Sequence, residues 1–391
     1  MNAPHIISLG CRMNIAESER MRAMLAGTGD LVVVNSCAVT SEAVRQTRQA
    51  IRRARRDHPA ARLVVTGCAA EIDRAVIGAM DEVDGLVANA AKLDPRAWNV
   101  PLDAPPIAPQ RTRGFVAVQN GCDHACTFCV IPQGRGASRS LGTAQALAEV
   151  EAHMSAGAQE IVLTGVDLTS WGHDLAGQPR LGTLVAAILA AFPRLPRLRL
   201  SSLDGIEIDD ALFELLAHEP RVMPHVHLSL QHGADLILKR MKRRHLRADA
   251  VNLVARLKTV RPEIAIGADL IAGFPTEDAV HHEANLSIID ALDIVHLHVF
   301  PYSPRPDTPA ARMPQLPRNL IKTRAAQLRA RSAARRDVWL AGLVGETLPV
   351  LAERDGTGYA PNYAPVALPP GTAAGTIIDV TPSGLREGLL A

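Results

Sequence analysis

The densest chemical feature of the chain is a CxxxCxxC triplet formed by Cys122, Cys126 and Cys129. Three thiolates on one short loop can ligate three irons of a four-iron cluster, which leaves the fourth iron open to a small-molecule ligand. A structural zinc site is the alternative, but such sites ordinarily use CxxC pairs and require a fourth ligand. His124 lies between the first two cysteines and is too constrained to complete the same tetrahedron easily. The spacing therefore favours an iron–sulfur cluster over zinc.

The other three cysteines, Cys11, Cys37 and Cys68, each follow a short aliphatic or β-branched run. These runs predict buried strands of a parallel sheet, with helical stretches such as 42–56 between them. The carboxyl ends of parallel strands meet at one edge of a sheet, where open α/β sheets bind ligands. The three thiols are therefore expected to converge. Buried core cysteines are the alternative, but these would lie inside the apolar runs rather than just after them.

Length and composition bound the class of protein. The chain has 391 residues, 47% of them hydrophobic, and a formal net charge of +2. At about 150 residues per domain, this length is enough for two or three domains. Because the net charge is small, a polyanion would have to be bound by local basic patches.

The sequence also favours one cellular compartment. Its first residues lack the basic segment, apolar run and cleavage site of a secretory signal, so a reducing cytoplasm is expected rather than disulfide bonds. No stretch approaches the ~20 uninterrupted apolar residues of a membrane span.

A proline-rich segment, 101–109, cannot sustain a helix or a central strand and is predicted to be a linker. Six apolar strand candidates follow it, with helical stretches between them. This alternation predicts a partial (β/α)6 barrel. The candidates are residues 115–119, 161–165, 198–200, 226–230, 264–271 and 294–300.

Polar or small residues follow almost every one of these strands. Gly165 and Asp167 come after the second strand, and Gln231 comes after the fourth. Barrel chemistry is located at the carboxyl ends of the strands, so these residues are expected to face one shared pocket. For each residue taken alone, an ordinary strand-end turn is the alternative.

These motifs together resemble the radical S-adenosylmethionine (SAM) methylthiotransferases, and the resemblance runs along essentially the whole chain. Phe128, the aromatic residue before the last cysteine of the triplet, also matches the radical SAM pattern. The matching segments are Gly10-Cys11-Arg12-Met13-Asn14, Glu17-Ser18-Glu19, Asn35-Ser36-Cys37-Ala38-Val39-Thr40, Thr66-Gly67-Cys68, Leu163-Thr164-Gly165-Val166-Asp167, Leu228-Ser229-Leu230-Gln231, Met241-Lys242-Arg243, Gly273-Phe274-Pro275 and 300–310.

The resemblance implies an α/β protein in three parts. These are an N-terminal parallel α/β domain at 1–100, a partial (β/α)6 radical SAM barrel at 111–337 after a linker at 101–110, and a small C-terminal β-barrel of the TRAM type at 338–391. Two positions where the family usually has glycine hold Thr276 and Asp307 here, and Ala88 replaces a third glycine.

The resemblance also implies two 4Fe-4S clusters. Cys122, Cys126 and Cys129 would hold the cluster that passes an electron to SAM, and the resulting deoxyadenosyl radical would attack the substrate carbon. Cys11, Cys37 and Cys68 would hold an auxiliary cluster carrying the sulfur to be methylated and transferred, so that two SAM molecules are used per turnover. Phe128, Gly165, Asp167 and Gln231 would contact SAM, and no catalytic residue beyond the cluster ligands is implied.

Within the family, the segments 129–136 and 35–40, with Arg45 and Arg48, resemble the MtaB type. That type adds a methylthio group to C2 of N6-threonylcarbamoyladenosine beside the anticodon of tRNA, whereas sister types act on isopentenyladenosine in tRNA or on a ribosomal protein. The implied partners are the tRNA anticodon stem-loop and an electron donor such as flavodoxin or ferredoxin, with no membrane and no DNA.

Three basic runs are candidates for tRNA contact, although solvated helix faces are the ordinary explanation of such runs. The C-terminal part is poorly basic, so it is expected to contact RNA through tyrosine stacking or backbone groups, or else to cover the barrel. The basic runs are Arg45, Arg48, Arg52, Arg53, Arg55 and Arg56; Lys239, Arg240, Lys242, Arg243, Arg244 and Arg247; and Arg324, Arg329, Arg331, Arg335 and Arg336.

Three other kinds of protein remain as alternatives. An iron–sulfur electron carrier would need clusters but no SAM pocket, and a zinc-dependent RNA-binding protein would need neither. A radical SAM RNA methyltransferase would share the barrel but gives no reason for the three N-terminal cysteines.

Overall fold

The computed structural model describes residues 4–101 and 112–391. Nearly all of the linker predicted at 101–110 lies outside the described residues. The chain forms two compact units, and the first consists of Met1–Pro109, Gln119–Arg139 and Ser303–Ala311. The second consists of Gln110–Val118, Ser140–Tyr302 and Arg312–Ala391.

Strands and helices alternate through most of the described chain. The strands are β1 His5–Ser8, β2 Leu31–Ser36, β3 Arg62–Gly67, β4 Gly85–Leu86, β5 Arg113–Ala117, β6 Gln119–Asn120, β7 Arg139–Ser140, β8 Glu160–Thr164, β9 Arg197–Leu200, β10 His225–Gln231, β11 Ala265–Ala272, β12 Ile294–Pro301, β13 Leu348–Ala352, β14 Thr357–Tyr359, β15 Pro365–Ala367, β16 Ile377–Val380, β17 Leu385–Arg386 and β18 Leu389–Leu390. The helices are α1 Arg12–Met24, α2 Ser41–Asp57, α3 Cys68–Ile72, α4 Arg74–Gly78, α5 Ile131–Arg135, α6 Thr143–Ser155, α7 Leu181–Ala191, α8 Asp210–His218, α9 Asp235–Arg240, α10 Arg247–Val260, α11 Ala279–Ala291 and α12 Arg318–Ala341.

The first unit is built on a parallel sheet with the strand order β1-β2-β3-β4. Its central strand β2 is buried at every position, which explains why its sequence is a continuous aliphatic run. One apolar cluster joins the sheet to α2 through Val34 and Ile51, and another joins it to α1 through Val33 and Met21. The sheet is therefore covered on both faces, as parallel sheets generally are.

The second unit contains all six strands expected for the barrel. Their orders are β5-β8-β9 and β10-β11-β12, and every pairing within these sheets is parallel. An isolated parallel bridge between Leu203 and Leu228 links the region after β9 to β10. The predicted α/β fold class, with helices between parallel strands, is confirmed.

Side chains of the barrel strands divide into an apolar and a polar face. Val226, Leu228 and Leu230 of β10 belong to the large apolar cluster that the helices cover. Because successive side chains point to opposite faces of a strand, His225 and His227 lie on the other face. The same alternation gives the six-stranded layer one face for packing and one face that carries histidines, arginines and carboxylates.

The C-terminal sheet has the strand order β16-β13-β14-β15-β18-β17. Its pairings are antiparallel except for that of β15 with β18. Helix α12 continues to Ala341, past the change of pattern at residue 338 in the sequence. The strands β14, β17 and β18 were not predicted, because runs of two or three residues carry no usable alternation.

Arg199 attaches this C-terminal sheet to the amino end of the barrel. It lies fully buried, with its Nε 2.8 Å from a carboxylate oxygen of Glu160. Its guanidinium lies 3.8 Å from the ring centroid of Tyr363. The same group donates hydrogen bonds to the carbonyl oxygens of Pro361, at 2.6 Å, and Ala360, at 3.0 Å. One side chain of β9 therefore holds the 360–363 loop by charge, hydrogen bonding and ring contact.

Other side chains at the amino ends of the strands make the same attachment. Arg197 donates to the carbonyl of Tyr359 at 3.1 Å, and Nε2 of His296 contacts the carbonyl of Asn362 at 3.2 Å. Burial lowers the pKa of His296 to about 3, so its ring is neutral. The C-terminal sheet thus covers the amino end of the barrel.

Two of the positions where the family usually has glycine keep a left-handed backbone here. Thr276 has a φ of 70° and Asp307 a φ of 63°, which a β-branched threonine adopts only at a cost. The Thr276 hydroxyl accepts a hydrogen bond from Arg240 at 2.7 Å, which offsets part of that cost. Ala88 has an extended backbone that needs no glycine.

Among the described residues, no helix has both the length and the apolar character that crossing a bilayer requires.

Replacing Arg199 with Met should destabilise the second unit by about 3–5 kcal/mol, because Glu160 would lose a buried partner and two carbonyls would lose their donor. The midpoint of denaturant unfolding measures this loss. Arg256→Met is the matched control, since the Arg256 guanidinium lies 4.2 Å from the Phe213 ring centroid but is exposed. A loss of under about 1 kcal/mol is expected there. Equal losses in the two variants would contradict the anchoring role of Arg199.

Candidate functional site

The three N-terminal cysteines follow the carboxyl ends of three adjacent strands. Cys11 caps α1 just after β1, Cys37 follows β2, and Cys68 begins α3 directly after β3. Cys37 and Cys68 are buried and Cys11 is exposed. Burial raises the pKa of the Cys37 thiol, and the neighbouring Cys11 and Cys68 raise it further.

A buried carboxylate with two cationic partners lies beside these thiols. Glu17 of α1 is 1% exposed, and its carboxylate lies 2.5 Å from the Lys92 ammonium and 3.0 Å from the Arg135 guanidinium. Arg135 also donates to the side-chain oxygens of Asn14, at 2.6 Å, and Asn120, at 2.8 Å. These groups form a buried polar network, and buried networks of this kind require all their members.

Charges in this network act on the thiols. Burial raises the pKa of Glu17, but the nearby Lys92 and Arg135 outweigh that effect and hold it below its usual range. Burial raises the pKa of the Cys68 thiol, while Arg135 and then Lys92 oppose the increase. The two cations thus reduce, without reversing, the cost of burying the anionic sulfur that binds iron.

The CxxxCxxC loop belongs to the same compact unit as the N-terminal sheet. Arg135, six residues after Cys129, is the side chain that reaches Glu17. Asn89 donates to the carbonyl of Gly134 at 2.5 Å. The two cysteine sets, which the sequence separates by a linker, are thus held in one unit through α5.

The backbone of this loop is arranged around the sulfur atoms. The amide of His124 donates to Sγ of Cys122 at 3.4 Å, and that of Ile131 donates to Sγ of Cys129 at 3.4 Å. Such bonds stabilise thiolate over thiol.

The four residues expected to contact SAM lie in both units. Phe128 lies half-buried in the cysteine loop of the first unit. In the second unit, the amide of Gly165, just after β8, donates to the Ser201 hydroxyl at 3.4 Å. Asp167 accepts a hydrogen bond from Ser170 at 2.6 Å. Gln231 ends β10 with a φ of 72°.

The left-handed backbone of Gln231 is a specific observation about that position. A residue with a long side chain adopts this conformation only at an energetic cost, and residues strained in this way are concentrated at ligand sites. This conformation could not be predicted from the sequence, because only the fold shows which strand-end residues are strained.

Lys92 was missed from the sequence, whereas Asn14 and Glu17 stand in segments that match the family but were given no role there. Lys92 stands in no motif, although it is one of only five lysines among 42 basic residues. Its burial in the N-terminal core could be recognised only from the fold.

The basic runs differ in how exposed their side chains are. Arg45, Arg52, Arg53 and Arg56 are exposed on α2, where each has an ion pair with a nearby carboxylate. The second run is largely structural: Arg240, Arg243, Arg244 and Arg247 bond to carbonyl, hydroxyl or carboxylate oxygens of the second unit. In the third run, Arg324, Arg331 and Arg335 are paired with Glu277, Asp290 and Asp293. The first run is thus the most accessible basic surface of the three.

Gly121, which precedes the triplet, should tolerate no side chain. Its φ is 75°, and a Cβ there would lie 1.9 Å from the backbone oxygen of Ala137. Gly136 has the same φ of 75° but open space around its Cβ position. We expect Gly136→Ala to cost about 1–2 kcal/mol from backbone strain alone, and Gly121→Ala to cost several times more and to lower iron retention after reconstitution. Equal iron content and thermal midpoints would contradict this.

Neutralising Glu17 should destabilise the first unit, because Glu17→Gln leaves two buried cations without a carboxylate. The expected loss is about 3–5 kcal/mol, read from the thermal unfolding midpoint of the cluster-free chain. Glu42→Gln is the matched control, since its ion pair with Arg45 is exposed and should change stability by under about 1 kcal/mol. If the two variants have the same thermal unfolding midpoint, the buried network does not stabilise the unit.

Known proteins resemble this chain along nearly its whole length. Residues 4–88 match the model of an uncharacterized protein family, UPF0004, and residues 116–286 match that of the Radical SAM superfamily. The threonylcarbamoyladenosine tRNA methylthiotransferase MtaB of Rickettsia prowazekii (strain Madrid E) is 41% identical over 403 residues, covering 98% of this chain and 96% of the relative. A tRNA-2-methylthio-N(6)-dimethylallyladenosine synthase of Cereibacter sphaeroides (strain ATCC 17025 / ATH 2.4.3) is 34% identical, covering 90% of this chain and 87% of the relative.

Solved structures share the fold at low sequence identity. The radical SAM methyltransferase TsrM of Kitasatospora setae, with cobalamin and a 4Fe-4S cluster bound, has a TM-score of 0.52 and 18% identity, covering 72% of this chain and 66% of that one. The cobalamin-dependent SAM radical enzyme OxsB, with aqua-cobalamin and SAM bound, has a TM-score of 0.51 and 8% identity, covering 84% and 56%. These likenesses concern the fold alone. Because both family models match in order and an MtaB relative shares nearly the whole length, the chain belongs to the radical SAM methylthiotransferase family, and within it to the MtaB type.

Proposed function

We propose that this protein adds a methylthio group to C2 of N6-threonylcarbamoyladenosine next to the anticodon of tRNA. The observation that carries the proposal is the 41% identity over nearly full length to a relative of that name, together with the two cysteine triplets of this chain. A relative that acts on dimethylallyladenosine is 34% identical, so that nucleoside is the second candidate substrate.

The six cysteines are the proposed ligands of two 4Fe-4S clusters, and their surroundings fit such groups. All six lie in the described part of the chain, where no disulfide joins any two of them. Backbone amides donate to sulfur in the Cys122 loop, and two buried cations lie beside the other set. When bound, the clusters would supply the electron that cleaves SAM and the sulfur that is transferred.

The residues of the first unit would control the state of that sulfur. Lys92 and Arg135 favour anionic sulfur through charge, and Glu17 fixes the position of both cations by ion pairing. Burial of Cys37 and Cys68 keeps water away from two of the three ligands, whereas the exposed Cys11 leaves an open side. We assign access of the substrate to that open side.

Phe128, Gly165, Asp167 and Gln231 are the proposed SAM-binding residues. The carboxyl ends of β8 and β10 bring the last three to the edge of the barrel where ligands bind. The left-handed backbone of Gln231 is consistent with its assignment, because backbone strain is enriched at ligand sites.

The proposed partners are the tRNA anticodon stem-loop and an electron donor such as flavodoxin or ferredoxin, with the reaction in the cytoplasm. Exposed arginines of α2 are the proposed phosphate contacts. The tyrosines of the C-terminal sheet are less available for base stacking, because Tyr363 is buried against Arg199. We therefore assign that sheet the role of covering the barrel.

We retain three functional regions for this reaction: 1–100 for the auxiliary cluster, 111–337 for SAM cleavage, and 338–391 as the cover, with 101–110 as the linker. The boundaries of these regions follow the order of the chain. The compact units differ from them, because the segments Gln119–Arg139 and Ser303–Ala311 belong to the first unit.

Deleting the gene should remove the methylthio derivative of threonylcarbamoyladenosine from digested tRNA, as measured by mass spectrometry, and the wild-type gene should restore it. Variants with Ala at Cys11, Cys37 and Cys68 should fail to restore it but still cleave SAM in vitro, because the other triplet is intact. Variants with Ala at Cys122, Cys126 and Cys129 should do neither.

The methylthio derivative of isopentenyladenosine serves as the internal control and should not change. Loss of that nucleoside instead, with the threonylcarbamoyl derivative retained, would move the assignment to the second substrate.

A further inference from the structure

Three polar side chains lie side by side on three adjacent barrel strands. His227 of β10 and His298 of β12 flank Asp269 of β11. Nε2 of His227 lies 2.9 Å from Oδ1 of Asp269, and Nδ1 of His298 lies 3.0 Å from the same oxygen. All three are on the polar face of the strands, opposite the apolar cluster. The SAM and cluster assignments above use none of them.

The register of the sheet creates this alignment. Asp269 pairs directly with His298 across β11 and β12, whereas His227 pairs with Gly267 across β10 and β11. A Cβ at Gly267 would lie 2.4 Å from Nδ1 of His227. The absence of a side chain at Gly267 therefore gives the His227 ring the space to reach along the strand to Asp269.

The shared carboxylate fixes how each ring presents its nitrogens. Burial raises the pKa of Asp269, but hydrogen bonds from His227 and His298 outweigh that effect and hold it well below its usual range. Asp269 is thus an ionised acceptor, and each imidazole donates its N–H toward it. For His298 this orients Nε2 away from Asp269.

Exposure distinguishes the two histidines. The His227 side chain is 8% exposed and that of His298 is 64% exposed. The row of hydrogen bonds therefore runs from an internal ring, through a carboxylate, to a ring whose outer edge is accessible. His298 lies three residues before the end of β12, about 10 Å below the carboxyl edge of the strands.

We propose that His298, oriented by Asp269, binds the carboxylate of the threonylcarbamoyl group and thereby selects this substrate. With a proton on each ring nitrogen, His298 donates one charge-assisted hydrogen bond to Asp269 and one to the substrate carboxylate. The isopentenyl group has no charge and gains nothing from this contact. This inference rests on the proposed function and identifies the group that determines its substrate specificity.

A divalent metal is the competing occupant, because the three ligand atoms lie within 4.8 Å of one another. Two histidines and one carboxylate form a known metal-binding set. The observed contacts favour the first interpretation, since both nitrogens lie at ordinary hydrogen-bond distances from one oxygen, whereas a metal would require both nitrogens to be deprotonated.

The test compares two anticodon stem-loops, one with the threonylcarbamoyl carboxylate free and one with it as the methyl ester. We expect the wild-type protein to bind the free acid roughly 10- to 100-fold more tightly than the ester, as a charge-assisted hydrogen bond provides. In His298→Gln this ratio should fall to about 1. Asp269→Asn should lower it partly, because the ring loses its ionised partner. His218→Gln, at an exposed histidine on α8, should keep the wild-type ratio.

The possible outcomes distinguish the role of His298 from the proposed function and from a metal site. An unchanged acid-to-ester ratio in His298→Gln, while the wild-type protein still methylthiolates the threonylcarbamoyl stem-loop, overturns the role of His298 and leaves the proposed function standing. A wild-type protein that modifies only isopentenyladenosine overturns both. One equivalent of zinc or other divalent metal that is present in the wild type and His218→Gln, but lost in both His298→Gln and Asp269→Asn, overturns the carboxylate assignment in favour of a metal site.

Discussion

The ion pairs of Glu17 with Lys92 and Arg135 are the interaction on which the arrangement of the first unit depends. The Glu17 carboxylate lies in α1, Lys92 in the segment after the N-terminal sheet, and Arg135 at the end of α5. Three segments far apart in sequence are therefore fixed to one point. Burying these charges costs several kcal/mol per ion unless every partner is present, so the site tolerates little variation. That cost has a functional counterpart, because the same two cations lower the cost of placing thiolates in an apolar interior.

A second constraint acts at the amino end of the barrel in the second unit. An open end would leave Glu160, Arg197 and Arg199 in contact with water, and the C-terminal sheet covers them by offering backbone carbonyls and the Tyr363 ring. Polar groups that would be costly in an apolar barrel core become the attachment for another part of the chain. The low basic content of that part is consistent with this role, since a cover needs complementary acceptors more than positive charge.

Much of the fold followed from the sequence, and the reason is visible in particular elements. The runs before Cys37 and Cys68 are continuous in Val and Leu because β2 and β3 are buried on both faces, and such runs are recognised without a structure. Cysteine spacing likewise identified the ligand chemistry, because this spacing is a local feature of the sequence. Gln231 was selected as a strand-end residue, but its left-handed backbone could not be predicted, since β10 continues through it with no glycine to mark the change.

What could not be predicted depends on contacts between distant segments. The run Lys239–Arg247 is basic in sequence and was a candidate for tRNA contact, yet Arg243 and Arg247 donate to carbonyl oxygens of their own unit. A guanidinium has five donors and satisfies several carbonyls at once, so arginine clusters arise wherever loop ends must be held together. The row of His227, Asp269 and His298 was not predicted for a related reason. Its members are 42 and 29 residues apart, and only the strand register makes them neighbours. Charge patterns along a chain therefore indicate surface chemistry only after internal pairing is known, and the most specific polar groups are those that the fold brings together.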